Sequence, residues 1–289
     1  MPGDPPREPT GPVILPAPSI GLWVGAAFVA VALAWVLYQV LVNPGFQWAI
    51  VGRYIADPAV LRGVATTIEL TAAVMVLGTA TGIVIALMRL SGGRILPLCA
   101  YGFTWFFRGV PVLVQLVFWY NLATLFPTLS LGIPFGGPKF YEVSSTAAIS
   151  SFLAALLGLG LNEAAYMAEI VRAGLLSVDP GQTDAGRALG YRPTQLFRVV
   201  ILPQAMRAIV PPTGNQVIGM LKFTSLASVV ALSELMNSVE DIYTRTFETV
   251  PLLIVAGLWY LLMVSALSVV QYLIERHYGR GVREPAGVA

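Results

Sequence analysis

Asp179-Pro180-Gly181-Gln182-Thr183-Asp184-Ala185-Gly186-Arg187-Ala188-Leu189-Gly190-Tyr191-Arg192-Pro193-Thr194-Gln195-Leu196-Phe197-Arg198-Val199-Val200-Ile201-Leu202-Pro203 is a polar stretch set between long apolar segments. It has a local grammar. Asp179 is suited to cap a helix, Pro180 to its first position, Gln182 to a reciprocal capping box, and Gly190 to a left-handed end. That predicts a short helix of about ten residues, too short to be stable alone in water and so held by contacts. A second short helix begins at Pro193 or Thr194, with Leu202 as its expected stop, because Pro203 disfavours helical backbone in the residue before it.

Working outward, the chain is 56% hydrophobic and 11% charged, far from the roughly 25% charged content of a soluble domain. Apolar runs of the ~20 residues needed to cross a bilayer occur at 20–41, 65–88, 101–126, 147–171, 210–232 and 252–273. Arg108 and Pro111 interrupt the third, and Pro211, Pro212 and Lys222 mark the fifth. The expected fold is an all-α integral membrane protein with six spans. Residues 1–19, rich in proline and glycine, read as a disordered cytoplasmic tail, 20–42 as an additional N-terminal span, and 276–289 as a basic tail.

Orientation follows from Lys and Arg, which favour short cytoplasmic loops. With the N-terminus inside, twelve of the 17 Lys and Arg fall on the cytoplasmic side, among them Arg89, Arg94, Arg172, Arg187 and Arg192; Arg53, Arg62, Lys139 and Arg245 fall opposite. Both termini are therefore expected in the cytoplasm. Cys99 is the only cysteine and His277 the only histidine. No disulfide framework, thiol or imidazole metal cluster or histidine-based triad can be built, which sets hydrolase and metalloenzyme readings aside.

Gly78 and Gly82 form a Gly-xxx-Gly pair, and Ala154 and Gly158 a looser one. Small residues at that spacing let helices approach closely in lipid, within one subunit or at a dimer seam. Charge inside a span is expensive and faces a cavity or a partner. Glu163 lies in the fourth span, Lys222 near the middle of the fifth, and Glu69 toward the outer part of the second. A solute path could pair Glu163 with a cationic group and Lys222 with an anionic one, with Asn215, Thr224 and Ser225 adding hydrogen bonds; alternatively Glu163 and Lys222 pair with each other or sit at helix ends. Glu169 and Arg172, three apart, can pair along one helix face. Arg108, Gly109 and Pro111 suggest a break near the inner membrane surface that lines a path or anchors the span at the headgroups, anchoring being favoured.

The polar stretch resembles the cytoplasmic motif of bacterial ATP-binding-cassette importer permeases, written Glu-Ala-Ala, three residues, Gly, nine residues, Ile, one residue, Leu-Pro. Here it reads Asp184-Ala185-Gly186, Gly190, Val200, then Leu202-Pro203. Flanking residues are similar to the polar amino acid branch: Ala164-Ala165-Tyr166-Met167-Ala168-Glu169, Arg108-Gly109-Val110-Pro111 with Gln115, and Lys222 with Thr224-Ser225-Leu226. The likeness spans 63–275. It implies five core spans of a type I importer permease plus the N-terminal one, and makes the short helix similar to a coupling helix that docks on an ATPase subunit through Asp184, Ala185, Gly186, Arg187, Gly190, Leu202 and Pro203. Asp184 is one methylene shorter than the family's Glu, and Gly186 for Ala weakens the helix by about 1 kcal/mol.

The chain has no phosphate-binding Gly-x-x-x-x-Gly-Lys-Ser/Thr loop, so ATP and Mg belong to the partner ATPase and no cofactor is expected here. Expected partners are an ATPase subunit dimer, a second permease copy or related permease, and an extracytoplasmic amino-acid-binding protein, all at a bacterial inner membrane. A secondary carrier or channel independent of an ATPase is the alternative from another class, and a non-transporting membrane scaffold for an ATPase is a third.

Overall fold

The computed structural model describes residues 20–133 and 137–278; the expected tail at 1–19, and the expected basic tail from 279 onward, lie outside them. The chain divides into two units, 1–47 and 48–289. In the first, α1 (Ile20–Val42) is an apolar helix of 23 residues with no buried side chain. A turn at Pro44–Phe46 follows it, capped by Asn43.

The second unit is a bundle. It contains α2 (Trp48–Tyr54), α3 (Pro58–Leu90), α4 (Ile95–Gly109), α5 (Val112–Tyr120), a two-stranded antiparallel hairpin β1 (Thr128–Gly132) and β2 (Lys139–Ser144), and α6 (Ser151–Leu176). These are followed by α7 (Pro180–Ala188), α8 (Pro193–Leu196), α9 (Leu202–Phe223), α10 (Leu235–Thr246) and α11 (Thr249–Tyr278). Four of the described helices, α1, α3, α6 and α11, are long and apolar enough to cross a membrane, or up to six spans if each of two bent pairs counts as one. At 1.5 Å per residue, α3 is about 50 Å long, well beyond the ~30 Å hydrocarbon core.

Two expected spans differ from their sequence reading. The run 101–126 is not one helix. α4 begins earlier, at Ile95, and meets α5 at 98°. Pro111 forces the preceding residue out of helical backbone, and Val110 accordingly sits at φ −88°, ψ 129°. The fifth span is longer than expected, because the helix does not stop at Leu202. Residues Phe197–Ile201 widen into a π-turn in which Leu202 N–H donates to Phe197 O. The wider turn gives Pro203 room where a regular helix would place its ring against a carbonyl. Pro211 and Pro212 also lie inside α9, and Gln271 of α11 donates to Pro211 O at 2.9 Å.

The heart of the bundle is the pairing of α3 with α6, the most extensive helix contact in the fold. Gly78 and Gly82 make it. A Cβ on Gly82 would fall 2.6 Å from Met167 Cβ and 2.9 Å from Ala164 O, and one on Gly78 would fall 2.7 Å from Glu163 Cγ. Gly158 likewise receives Leu116 of α5. Both small-residue pairs thus carry close packing inside one chain. Leu70, Val74, Leu116, Leu159 and Met167 are buried in the resulting core.

At the far end of α3, the fully buried Glu234 caps α10 by accepting from Met236 N and Asn237 N. Tyr260 of α11 donates to the same carboxylate at 3.1 Å, and Thr67 of α3 accepts from Leu235 N. Glu234 and its neighbour Leu235 together tie three helices. Sequence reasoning passed over them, since Ser-Glu-Leu in a short linker carries no helical periodicity.

The close approach at Gly82 yields a direct expectation. Gly82→Leu should destabilise the purified protein by about 1–3 kcal/mol through overpacking, read as a lower melting temperature in detergent. Gly257→Ala, where a Cβ meets nothing within 4 Å, should leave the melt unchanged or slightly raised.

Candidate functional site

The right-angle break between α4 and α5 faces the middle of α6, and a cavity of about 430 Å³ opens there. Arg108, Asn162, Glu163, Tyr166, Gln216 and Phe223 contribute to its wall. Arg108 is the second-last residue of α4, about 21 Å along the helix from Arg94. It lines the cavity and is itself exposed. Its guanidinium lies over the Tyr166 ring, 5.1 Å from the centroid, an arrangement in which the ring quadrupole attracts the cation.

Glu163 is buried at 3% exposure. Gln216 Nε2 approaches its Oε2 at 3.5 Å, while Oε1 has no hydrogen-bond partner. Among the described residues neither Arg108 nor Glu163 enters an ion pair. A carboxylate and a guanidinium therefore border one cavity without neutralising each other. The glycine at position 78 gives the Glu163 stem its place: any larger side chain on α3 would occupy it.

The other expected path residues stand elsewhere. Lys222 and Asn215 are exposed on α9 and do not line the cavity, and Lys222 makes no ion pair with Glu163 among the described residues. The Thr224 hydroxyl is fully buried and donates to Leu221 O; that of Ser225 donates to Lys222 O. Of the expected path residues Glu163 lines this cavity, beside Arg108 and Gln216. A spacing rule along α9 could not reveal this, but an arginine inside an apolar run just before Gly-Val-Pro was the available signal. A larger cavity of about 540 Å³ between α3, α6, α9 and α11 is lined by apolar groups such as Ile83, Val171 and Met206, with no charged side chain. It offers nothing to hold an ionic ligand.

Further along α6, Glu169 is shared by two arginines. Arg89 of α3 donates from Nη1 to Oε1 at 2.5 Å, and Arg172 donates from Nε to Oε2 at 3.0 Å. Arg89 also reaches Thr104 Oγ1 and lies over Tyr101 of α4. The expected Glu169–Arg172 pair is thus half of a cluster that joins α3, α4 and α6.

The polar stretch folds as a small helical module. Asp179 caps α7 by accepting from Gly181 N at 2.6 Å, and Gly190 closes it with φ +77°. The reciprocal half of the capping box does not form: Gln182 Oε1 instead accepts from Gln204 of α9. Gly186 does not offer an open face to a partner. It is buried against Leu196, where a Cβ would sit 2.3 Å from Leu196 Cδ1. Asp184 and Arg187 face outward, 3.7 Å apart and each over 70% exposed. Leu189 is 76% exposed, an apolar side chain at the tip of a polar helix. Leu202 and Pro203, the end of the motif, lie at the start of α9 and so connect the module to the span that carries Gln216.

The model of the family described as binding-protein-dependent transport system inner membrane component matches residues 78–283. The chain is 44% identical over 263 residues to the arginine transport system permease protein ArgU of Corynebacterium glutamicum, covering 90% of this chain and 81% of that protein. It is 35% identical to the nopaline transport system permease protein NocM of Agrobacterium fabrum, over 75% and 87% of the two chains. Among solved structures, an amino acid ABC transporter crystallised with histidines superposes with a TM-score of 0.64 at 34% identity, covering 76% of this chain and 94% of that one.

The shared carboxylate of Glu169 sets an order of stabilities. Glu169→Leu should lower the stability of the detergent-solubilised protein by about 1–3 kcal/mol, because two cations lose their acceptor at once. Arg89→Met should cost less, and Arg172→Met least, since that pair lies on one helix and is worth only a few tenths of a kcal/mol. Thermal melts of the three variants check the ranking.

Proposed function

We propose, from the premise that the chain belongs to the family of binding-protein-dependent transport system inner membrane components, that it is the permease subunit of an ATP-driven importer of a polar amino acid. The observation that carries the substrate class is the cavity at the α4–α5 break. An amino acid at neutral pH bears an ammonium and a carboxylate, and Glu163 and Arg108 border one space without being paired to each other. Arg108 takes the carboxylate, with the fork geometry that suits it, and Glu163 takes an ammonium or a cationic side chain. Gln216 supplies a neutral hydrogen bond. The names of the similar proteins, which concern arginine, nopaline and octopine, agree with a substrate that carries a basic group.

Energy enters through α7. The exposed residues of this helix, Asp184 and Arg187 on its side and Leu189 at its tip, are the docking surface for an ATPase subunit that binds ATP and Mg; the buried Gly186–Leu196 contact stiffens the module behind it. One permease chain presents one such helix, so the transporter contains two permease chains over an ATPase dimer, served by an extracytoplasmic amino-acid-binding protein. Residues 63–275 form the transporting body and 20–42 an added span. Both termini lie in the cytoplasm, which places Arg89, Glu169, Arg172 and α7 toward the ATPase. The chain itself performs no catalysis.

The test is uptake of labelled arginine and other polar amino acids into liposomes containing this chain with its ATPase and binding-protein partners. Uptake should require ATP. It should fall at least tenfold in Glu163→Gln and in Arg108→Gln at fixed low substrate, each having lost a charge-assisted contact, with assembly intact by size-exclusion chromatography. Leu189→Asp or Asp184→Arg should abolish ATP-driven uptake while amino acid binding to the permease persists. Uptake that follows an ion gradient and ignores ATP would identify an ATPase-independent carrier instead.

A further inference from the structure

Phe107 O and Val110 O are among the backbone carbonyls that the break at the end of α4 leaves without helical partners. Phe107 O would ordinarily accept from the residue four places on, but that residue is Pro111, which has no N–H. Val110 O is bypassed because Val114 N–H goes to Pro111 O. Both are met by one side chain. Gln115, only 4% exposed, donates from Nε2 to Phe107 O at 3.0 Å and to Val110 O at 2.9 Å. Asn162 of α6 adds a second donor to Phe107 O at 2.6 Å.

These bonds bracket Arg108. The peptide on one side of it is pinned at residue 107 and the chain on the other side at residue 110, so the Arg108 backbone has little freedom. Asn162 and Tyr166 stand one helical turn apart on α6: the first holds the carbonyl beside Arg108 and the second lies under its guanidinium. Gln115 itself does not line the cavity. The Gln115 side chain therefore acts on the site only through the loop it holds.

We propose that Gln115 is a positioning residue for substrate recognition: by clamping Phe107 O and Val110 O it aims Arg108 at the carboxylate end of the substrate. The proposal rests on the reading of Arg108 given above. It assigns to Gln115 an effect on selectivity and not merely on stability. A side chain that only stabilised the fold would weaken all ligands alike. One that aims a guanidinium weakens the ligand that has a carboxylate and spares the ligand that lacks one.

The experiment is a double-mutant cycle read by calorimetric binding of L-arginine and L-argininamide to the purified permease–ATPase complex. The wild type should prefer the acid by about tenfold or more, the size of one charge-assisted contact. Arg108→Gln should abolish the preference. Gln115→Leu should reduce it several-fold by weakening arginine more than argininamide, and should add no further loss of preference to Arg108→Gln. If Gln115→Leu does not assemble, Asn162→Ala, which removes one of two donors to Phe107 O, is read in the same way; failure of both to assemble would assign the clamp to folding and overturn the proposal. An unchanged preference in Gln115→Leu, with Arg108→Gln still losing it, overturns the positioning role alone. An unchanged preference in Arg108→Gln, or none in the wild type, overturns the assignment of Arg108 and the proposal with it.

Discussion

Inside a bilayer no water is available to pair with exposed peptide groups, so every departure from regular helix must be met by protein. The architecture is organised around that constraint. Where α4 breaks, Gln115 and Asn162 supply the missing donors. Where α10 begins, Glu234 receives two of its free N–H groups. Each repair is a polar side chain buried at a helix contact, and each fixes which helices lie together.

The charges are sorted into layers by the same economy of partners. Glu169 is saturated by Arg89 and Arg172 and binds helices to one another. Glu163, six residues away on the same helix, faces the cavity with one oxygen unpaired. One carboxylate is held between two arginines and the other borders a cavity. What separates them is the neighbouring element: α3 brings an arginine to Glu169 but a glycine to Glu163.

Much of this was legible along the chain. The Asp179 cap and the left-handed Gly190 depend on contacts within a few residues, and both are present. The Gly78 and Gly82 pair also announced a close helix approach. The failures came where one element reshapes another. Proline rules predicted an end at Leu202, but a π-turn absorbs Pro203 and the helix continues. Gly186 looked like a surface for a partner, yet Leu196 fills the space beside it. Lys222 was the more central charge by position in its span, whereas the 98° turn after α4 brings Arg108 to Glu163's cavity and leaves Lys222 outside. A tertiary bend of that size has a sequence trace, Gly-Val-Pro, but its direction does not.

The π-turn has a mechanical meaning. Because it carries the helical path through Pro203, the backbone from Pro193 to Gln216 runs as one helical path of about 35 Å, with Pro211 and Pro212 inside it. One end packs beside α7, where Leu196 meets Gly186, and the other reaches Glu163 through Gln216. A rod of that length tilted by about ten degrees moves its far end by roughly 6 Å, enough to part or close a hydrogen bond. Geometry alone thus converts a small rotation at the Pro193 end of the helical path into an ångström-scale displacement beside Glu163.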